Sequence, residues 1–142
     1  MRAILLILTT LLLVSCSRTP DETLIRQAID TMVTAVEHRQ SGPVLDRLAP
    51  GFHGAEDMNA RQVRAYLAAQ YFRNPKIHIL LTGLRIDVLG NEADVRFHAA
   101  VAGGTGFLPE RAQYYAVTTR WRKIDGEWQV VRADWEPATG GG

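Results

Sequence analysis

The last predicted strand carries the residues best suited to acid–base chemistry, Arg132 and Asp134. Because alternate residues of a strand share a face, both are expected on the face of Trp128 and Val130, with Trp121 opposite them across the preceding turn. A carboxyl group in an apolar pocket can transfer a proton near neutral pH, since burial raises its pKa. Asp134 is therefore the candidate general acid or base if this face lines a pocket.

The opposite face of the same strand carries Val131, Ala133 and Trp135, and the sequence leaves open which face is buried. If these three residues point inward, Arg132 and Asp134 form an ordinary exposed pair of opposite charge. A shift of one residue in strand register exchanges the two faces. The catalytic interpretation of Asp134 therefore depends on a register that the sequence does not determine.

Aromatic side chains with polar tips form a second group of candidates, because they can line a ligand pocket as well as build a core. Tyr66 and Tyr115 could donate hydrogen bonds to a bound molecule, while Trp121 and Trp128 offer large apolar surfaces. Together with the charged pair of the last strand, these four residues make up the predicted ligand-binding set.

Metal, cofactor and nucleophile chemistry is not predicted. The four histidines are scattered along the chain, and no pair has the helical spacing of metal ligands. No nucleophile-elbow pattern surrounds a serine. The glycine-rich segment 103–106 joins two predicted strands, so no helix N-terminus follows it to bind phosphate. We therefore expect no metal and no cofactor.

The composition is that of one domain without a nucleic-acid surface. The chain has 142 residues, of which 46% are hydrophobic and 22% are charged, and its formal net charge is +1. A chain of this size can bury about two-thirds of its unfolded surface, which is enough for a core without disulfides or metals. A near-neutral net charge provides no basic field, so we expect no nucleic-acid partner.

The N-terminal segment predicts export and lipid attachment. Residues 1–15 combine Arg2 with an apolar run that ends at Val14, which is too short to span a bilayer and fits the core of a signal peptide. The residues up to Cys16, Leu-Val-Ser-Cys, resemble the lipobox of bacterial lipoproteins, in which a small residue precedes an invariant cysteine. The resemblance implies a cleaved signal peptide over 1–15 and a lipidated tether over 16–19.

The same resemblance implies a place in the cell. The domain is expected in the bacterial cell envelope, on the periplasmic side, where two or three acyl chains hold it firmly in a membrane. Ser17 follows the cysteine where lipoproteins of the inner membrane carry aspartate, which favours the outer membrane. An ordinary secreted protein with a free cysteine is the alternative.

A long helix is predicted at the start of the domain. Thr19 and Glu22 have the spacing of a capping box around Pro20, which suits the first helical position. Apolar residues spaced three and four apart then continue to about Gln40. The segment 41–43, Ser-Gly-Pro, ends this helix.

Two shorter helices are predicted next. One covers 44–48 and is broken by the Pro-Gly pair at 50–51. In the other, Asn59 is the cap, Gln62 lies three residues further on, and the helix ends before Asn74, which precedes a proline.

From residue 76 the apolar spacing changes to alternation, which predicts strands. Four strands are predicted, over 76–89, 92–102, about 111–123 and 127–136. Gly83 indicates a bulge in the first of them, and Asp125 with Gly126 predicts a tight hairpin turn before the last. The order predicts an α+β fold with helices packed on one face of a curved antiparallel sheet of at least four strands.

This arrangement resembles the nuclear transport factor 2-like superfamily, also called the cystatin-like α+β roll. The stretch 115–131, with Trp128 just after its turn, is similar to the family's last hairpin, and the segment 45–48 and Phe52 strengthen the likeness. The likeness covers 20–137 and leaves 138–142 as a glycine-rich tail. It implies a conical cavity between sheet and helices, and frequent dimers through the sheet.

The fold hosts isomerases, dehydratases, polyketide cyclases, carrier proteins and interaction modules, so it leaves the function open. The first hypothesis is a non-enzymatic, membrane-anchored lipoprotein that binds a small apolar ligand or an envelope protein. The second is an isomerase or dehydratase with Asp134 as acid or base and Tyr66 or Tyr115 as hydrogen-bond donor. The third is an assembly module that forms a homodimer or docks another envelope protein through its sheet.

Overall fold

The described part of the chain folds into three helices and a five-stranded sheet. The computed structural model describes residues 18–104 and 111–138. The helices are α1 (Asp21–Glu37), α2 (Gly42–Leu45) and α3 (Ala60–Arg73), with a 3₁₀ turn at Ala55–Asp57. The strands are β1 (Leu48–His53), β2 (Lys76–Leu89), β3 (Glu92–Gly104), β4 (Arg111–Ile124) and β5 (Glu127–Pro137). Within the described ranges, no helix is long and apolar enough to cross a bilayer.

Several predictions concern residues outside these ranges. The signal peptide over 1–15, the lipid attachment at Cys16 and nearly all of the tail over 138–142 lie there. So does the segment 105–110, which joins β3 to β4. They remain predictions.

Helix α1 differs from its prediction at both ends. It begins at Asp21, after Pro20, and no side-chain hydrogen bond from the described residues caps it, so the predicted capping box of Thr19 is wrong. The helix ends at Glu37 rather than near Gln40, because Arg39 has a φ of 56°, which lies outside the helical region. Its inward face packs against the sheet.

Helix α3 confirms its predicted cap. The side chain of Asn59 accepts a hydrogen bond from the backbone N–H of Gln62 at 3.0 Å, and the side-chain oxygen of Gln62 accepts one from the N–H of Asn59 at 2.8 Å. This reciprocal pair satisfies two donors that the first turn leaves open. The helix ends at Arg73, as predicted.

The sheet has the order β1-β5-β4-β3-β2, and its four long strands form an antiparallel meander. Strand β1 pairs in parallel with β5 at the edge, where the sequence predicts the end of a helix. Pro50 and Gly51 lie inside this strand, because an edge strand tolerates a residue without a backbone N–H. The predicted fold class, helices on one face of a curved sheet, is confirmed.

The predicted bulge at Gly83 and the predicted turn at Asp125 and Gly126 are confirmed. Gly83 has a φ of 64°, and the pairing of β2 with β3 skips between Thr82 and Arg85, so the glycine forms a bulge. Asp125 and Gly126 have φ values of 51° and 80°, the positive angles that a two-residue hairpin turn requires. These features bend β2 and join β4 to β5.

A second bulge, which the sequence does not reveal, lies in β5. Trp121 pairs with Val130, but the preceding residue, Arg120, pairs with Arg132. Val131 is therefore an extra residue opposite β4. A bulge of this kind reverses which alternate residues of the strand face the helices.

Candidate functional site

The helices and the inner face of the sheet enclose an apolar cavity with a volume of about 320 Å³. Phe52, Trp121 and Val130 form its buried end, with exposures of 4%, 1% and 2%. Tyr66 is 39% exposed and lies at the open side. The cavity matches the position that the predicted fold implies, between the sheet and the helices.

The described cavity wall contains no Asp, Glu, His, Lys or Arg. Aliphatic side chains from α1, α2 and α3 face aliphatic and aromatic side chains from the strands. The polar atoms of the described wall side chains belong to Thr119, Tyr66, Tyr115, Trp121 and Trp135. Such a surface binds apolar groups and offers few positions for hydrogen bonds.

One of these polar groups is satisfied deep in the protein. The indole Nε1 of Trp121 donates a hydrogen bond to the hydroxyl oxygen of Thr119 at 2.8 Å, and both side chains are buried. Because β4 places alternate residues on the same face, the two side chains lie next to each other in the cavity wall. The bond removes the cost of an unpaired indole N–H in an apolar setting.

The tyrosines stand at the open side of the cavity. The Tyr66 ring lies 6.3 Å from the Trp135 ring, at an interplanar angle of 43°. The hydroxyl of Tyr115 donates a hydrogen bond to the side-chain oxygen of Gln113. Burial, with a smaller effect of Tyr66, raises the pKa of Tyr115 above its usual value of 10.0, so this phenol is neutral near pH 7 and can donate hydrogen bonds.

The bulge at Val131 places the charged pair of β5 outside this cavity. Ala133 and Trp135 line the cavity, whereas Arg132 and Asp134 lie on the opposite face of the sheet. Arg132 donates to Asp134 from Nε at 2.7 Å and from Nη2 at 3.2 Å, and the side chains are 57% and 46% exposed. This pairing raises the pKa of Arg132. The predicted shared face of Asp134 and Trp128 is therefore wrong.

Trp128 is also separate from the cavity wall. It is 2% exposed, and its Nε1 donates a hydrogen bond to Asp21 at the start of α1. Among the six residues of the predicted binding set, the structure thus brings together Tyr66, Tyr115 and Trp121 around one space.

Comparison with solved structures identifies the fold. No protein-family model matches the sequence, and no curated protein sequence does. An NTF2-like protein of unknown function from Pseudomonas putida KT2440 superimposes with a TM-score of 0.69 at 20% identity, covering 81% of this chain and 84% of that protein. The chain has the NTF2-like fold.

Two further solved structures superimpose on the chain. A candidate dehydratase of the NTF2-like family from Streptomyces avermitilis has a TM-score of 0.72 at 16% identity, with coverage of 86% of this chain and 100% of that one. Bd1075 of Bdellovibrio bacteriovorus has a TM-score of 0.72 at 13% identity over 82% of this chain. The chain spans about two-fifths of Bd1075, at 40% coverage. At these identities the likeness shows the fold alone.

The domain has a second groove, where β1, the start of α3 and the β4–β5 turn meet. Asn59, Arg61 and Asp125 contribute polar groups to it. Asn59 is already engaged in the cap of α3, as described above. Within the described residues, no group of three or more His, Cys, Asp and Glu side chains is placed to hold a metal ion.

Sequence reasoning missed most of the cavity wall. Met32, Val33 and Val36 of α1 and Val63 of α3 line it together with strand residues such as Ala99. The helical spacing of the α1 residues identifies them as inward-facing but does not separate a packed core from a cavity wall. Only the relative placement of helices and sheet creates the empty volume.

Proposed function

We propose that the protein is a lipid-anchored module of the bacterial cell envelope that binds a small, neutral, largely apolar molecule in this cavity. The chemistry of the cavity wall carries the proposal. A volume of about 320 Å³ suits a small molecule, since ligand pockets span roughly 300–1,000 Å³. The proposed site requires neither metal nor cofactor.

The wall selects against charged ligands. A carboxylate or ammonium group inside the cavity would lose its hydration and meet no described side chain of opposite charge. A neutral molecule would lose little on entry and would gain the burial of its apolar surface. One or two polar groups of the ligand can remain at the open side, within reach of Tyr66 and Tyr115.

An enzyme of the isomerase or dehydratase type is the second candidate. The similarity in fold to the Streptomyces candidate dehydratase favours it, and so do the two phenols at the cavity. Tyr115 would serve as the proton donor, whereas Asp134 would have to act from the other sheet face. Tyr115→Phe would then abolish turnover and Asp134→Asn would not, while binding of the substrate would survive both changes.

Native mass spectrometry of the full chain, purified from bacterial membranes in a mild detergent, tests the binding proposal. Extra mass that disappears on denaturation is expected. A titration with the neutral fluorophore N-phenyl-1-naphthylamine should saturate at one molecule per chain. The anionic analogue 1-anilinonaphthalene-8-sulfonate should bind at least about tenfold more weakly, because its sulfonate cannot be desolvated in the cavity.

Ala99→Phe should abolish binding of the neutral fluorophore, because Ala99 lines the cavity and the larger ring fills it. Ala65→Phe on the exposed face of α3 is the matched control and should bind as the unmodified chain does. Equal binding by both variants, in chains that remain folded by circular dichroism, would place the ligand elsewhere and contradict the proposal.

The anchoring part of the proposal has its own test. Cys16→Ser should remove incorporation of labelled palmitate and release the chain from membranes, or leave it unprocessed, because the thiol is the proposed acylation site. Ser17→Ala changes the neighbouring residue and should keep both the label and the membrane fraction. A Cys16→Ser chain that stays in membranes in its processed form would show that the anchor is not a lipid on this cysteine.

A further inference from the structure

The start of α1 and two hairpin turns of the sheet lie together at one end of the domain. Asp21 accepts a hydrogen bond from Lys123 Nζ at 2.9 Å, close to the β4–β5 turn. The backbone N–H of Lys123 donates to the carbonyl oxygen of Asn91, in the β2–β3 turn, at 2.8 Å. We define the tether end as Asp21 with the segments 89–91 and 123–126, because the chain before Asp21 leads to the proposed lipid site.

The far end of the domain lies at the other end of the same strands and contains the segments 72–76, 103–104 and 111–115. Asn74, which follows α3, lies against Gly103 near the end of β3. Gly103 in turn pairs with Arg111 at the start of β4. Strand β4 has 14 residues. At about 3.4 Å per residue, it separates the two ends of the domain by about 40 Å.

The cavity opens toward the far end. Its buried end includes Trp121, close to the β4–β5 turn. Tyr115, at the open side, lies about 20 Å further along β4 and pairs with Pro137, the last residue of β5. A ligand that enters the cavity therefore comes from the side of the far end.

The proposed anchor can hold only the tether end close to a membrane. An extended chain spans at most about 3.6 Å per residue, so the Cα atom of Cys16 lies within about 18 Å of the Cα atom of Asp21. The far end is roughly twice as far from Asp21, given the length of β4. This step rests on the lipid attachment in the proposed function.

The tether end also carries an exposed apolar side chain. Leu89 is the last residue of β2 and is 85% exposed among the described residues. The turn that follows it contains Gly90, with a φ of 61°, and Asn91, which is bonded to Lys123 as described above. Leu89 therefore projects beside the start of α1, where contact with acyl chains would remove its surface from water.

We propose that the tether end binds the membrane surface, with Leu89 inserted between the lipid headgroups and acyl chains, and that the cavity opens on the side away from the membrane. The lipid on Cys16 holds this end at the bilayer. Leu89 provides a second contact, which determines how the domain stands on the surface. The ligand of the cavity then enters from the aqueous side and not directly from the membrane that holds the protein.

Two other exposed apolar residues are poorer lipid contacts. Leu80 is 63% exposed on the outer face of the sheet, which it shares with the ion pair of Arg120 and Asp94. Contact of this face with acyl chains would remove water from both charges, which is costly. Phe72 is 88% exposed, but it lies near the end of α3, at the far end of the domain.

Quenching by spin-labelled lipids tests this orientation. The chain has one cysteine, whose thiol is acylated in the anchored protein, so an introduced cysteine is the only site for a thiol-reactive nitrobenzoxadiazole label. The full lipidated chain, purified from bacterial membranes, is reconstituted into phosphatidylcholine vesicles in which some lipids carry a doxyl group on an acyl chain. Leu89→Cys and Phe72→Cys are the matched pair, because the two side chains are almost equally exposed at opposite ends.

The doxyl lipid should quench the label at position 89 at least about threefold more than the label at position 72, which the orientation holds about 40 Å further from the bilayer. Because both variants carry the same label, its own affinity for lipid cannot produce this difference. Leu80→Cys reports on the outer face of the sheet. Its label should be quenched as weakly as the label at position 72.

Flotation of the vesicles in a density gradient separates failure of the anchor from failure of the orientation. A lipid-free chain that stays at the bottom overturns the anchoring part of the proposed function, and this orientation with it. A chain that floats but shows equal quenching at positions 89 and 72 keeps its anchor and overturns the orientation alone. Stronger quenching at position 80 than at position 89 means that the sheet lies flat on the bilayer, which also overturns it.

Discussion

Asp21, the first residue of α1, accepts a hydrogen bond at 3.0 Å from the indole Nε1 of Trp128, which lies 107 positions later in the chain. The same carboxylate oxygen accepts a hydrogen bond from Lys123 Nζ at 2.9 Å. The two hydrogen bonds connect the start of α1 to the hairpin formed by β4 and β5. They also supply the partner that the buried indole N–H of Trp128 needs.

This contact predicts a pH dependence of stability. Hydrogen bonds from Lys123 and Trp128 lower the pKa of Asp21 below its usual value of 3.8 in the folded chain. A carboxyl group with a lowered folded pKa stabilises the fold above its unfolded pKa, and this contribution disappears as the pH falls through the folded value. Asp21→Asn should therefore lower the Tm at pH 7, and the two Tm values should converge below about pH 3.8.

Thermal unfolding followed by circular dichroism between pH 2 and pH 7 measures the Tm of the unmodified chain and of Asp21→Asn at each pH. Glu22→Gln is the control, because Glu22 forms only an exposed ion pair with Arg26 among its described contacts, at 3.3 Å. Exposed pairs contribute little to stability. A Tm difference for Asp21→Asn that stayed constant across this range would show that the carboxylate charge is not what stabilises the contact.

The buried hydrogen bond between Trp121 and Thr119 predicts that two similar substitutions of Thr119 lower the free energy of unfolding by different amounts. Thr119→Val keeps the size of the side chain but leaves the indole N–H of Trp121 without its acceptor, which should cost about 1–3 kcal/mol. Thr119→Ser keeps the hydroxyl and loses one methyl group, which should cost about 1 kcal/mol. Urea denaturation measures both, and an equal or larger loss for Thr119→Ser would mean that packing dominates.

The close approach of Asn74 to Gly103 predicts that the effects of substitutions at these two positions on stability are coupled. A Cβ at Gly103 would lie 2.5 Å from Oδ1 and 3.0 Å from Cγ of Asn74, whose side-chain nitrogen donates to the carbonyl of Gln70 at 3.1 Å. Gly103→Ala should therefore destabilise the chain by about 1–3 kcal/mol. Asn74→Ala removes both clashing atoms, so the cost of Gly103→Ala in that background should be smaller.

Gly42→Ala is the control for this pair. No atom lies within 4 Å of a Cβ at Gly42, which starts a short helix, so the substitution should be neutral or stabilising by up to about 1 kcal/mol. Urea denaturation of the unmodified chain, Gly103→Ala, Asn74→Ala and the double variant measures the coupling energy between the two positions. Equal costs of Gly103→Ala with and without Asn74 would show that the close approach does not determine the effect.

Local sequence signals predict those parts of the fold that depend on neighbours along the chain. The cap at Asn59, the bulge at Gly83 and the turn at Asp125 each follow from one or two residue types, and the structure has all three. The sequence does not predict strand β1, because Pro50 and Gly51 are typical of breaks between helices and strands. They are tolerated there only because the strand lies at the edge of the sheet, which is a property of the assembled fold.

The cavity depends on how the helices and the sheet are placed relative to each other, which is also a property of the assembled fold. Tyr66 and Tyr115 belong to the predicted set by residue type alone, and the structure places both beside the same space. The interpretation of Asp134 depends on the register of β5, and no residue type in the segment 128–134 indicates the extra residue. The bulge is visible only in the pairing of β5 with β4.

The bulge at Val131 supplies the last prediction. Deletion of this residue would restore strict alternation in β5, which turns Ala133 and Trp135 away from the helices and turns Arg132 and Asp134 toward the apolar cavity. Arg132 and Asp134 would then be buried as an ion pair among apolar side chains, where the desolvation penalty of several kcal/mol for each ion exceeds their mutual attraction. Since domains of this kind are stable by only about 5–15 kcal/mol, the deletion should abolish cooperative unfolding.

Val131→Ala keeps the extra residue and removes only two methyl groups from a half-buried side chain, so it should cost about 1–2 kcal/mol and retain a cooperative transition. Urea denaturation followed by tryptophan fluorescence distinguishes the two, because Trp121 and Trp128 are buried in the folded chain. A deletion variant that unfolds cooperatively near the midpoint of Val131→Ala would show that the chain can shift its register, and that the bulge does not fix which face of β5 lines the cavity.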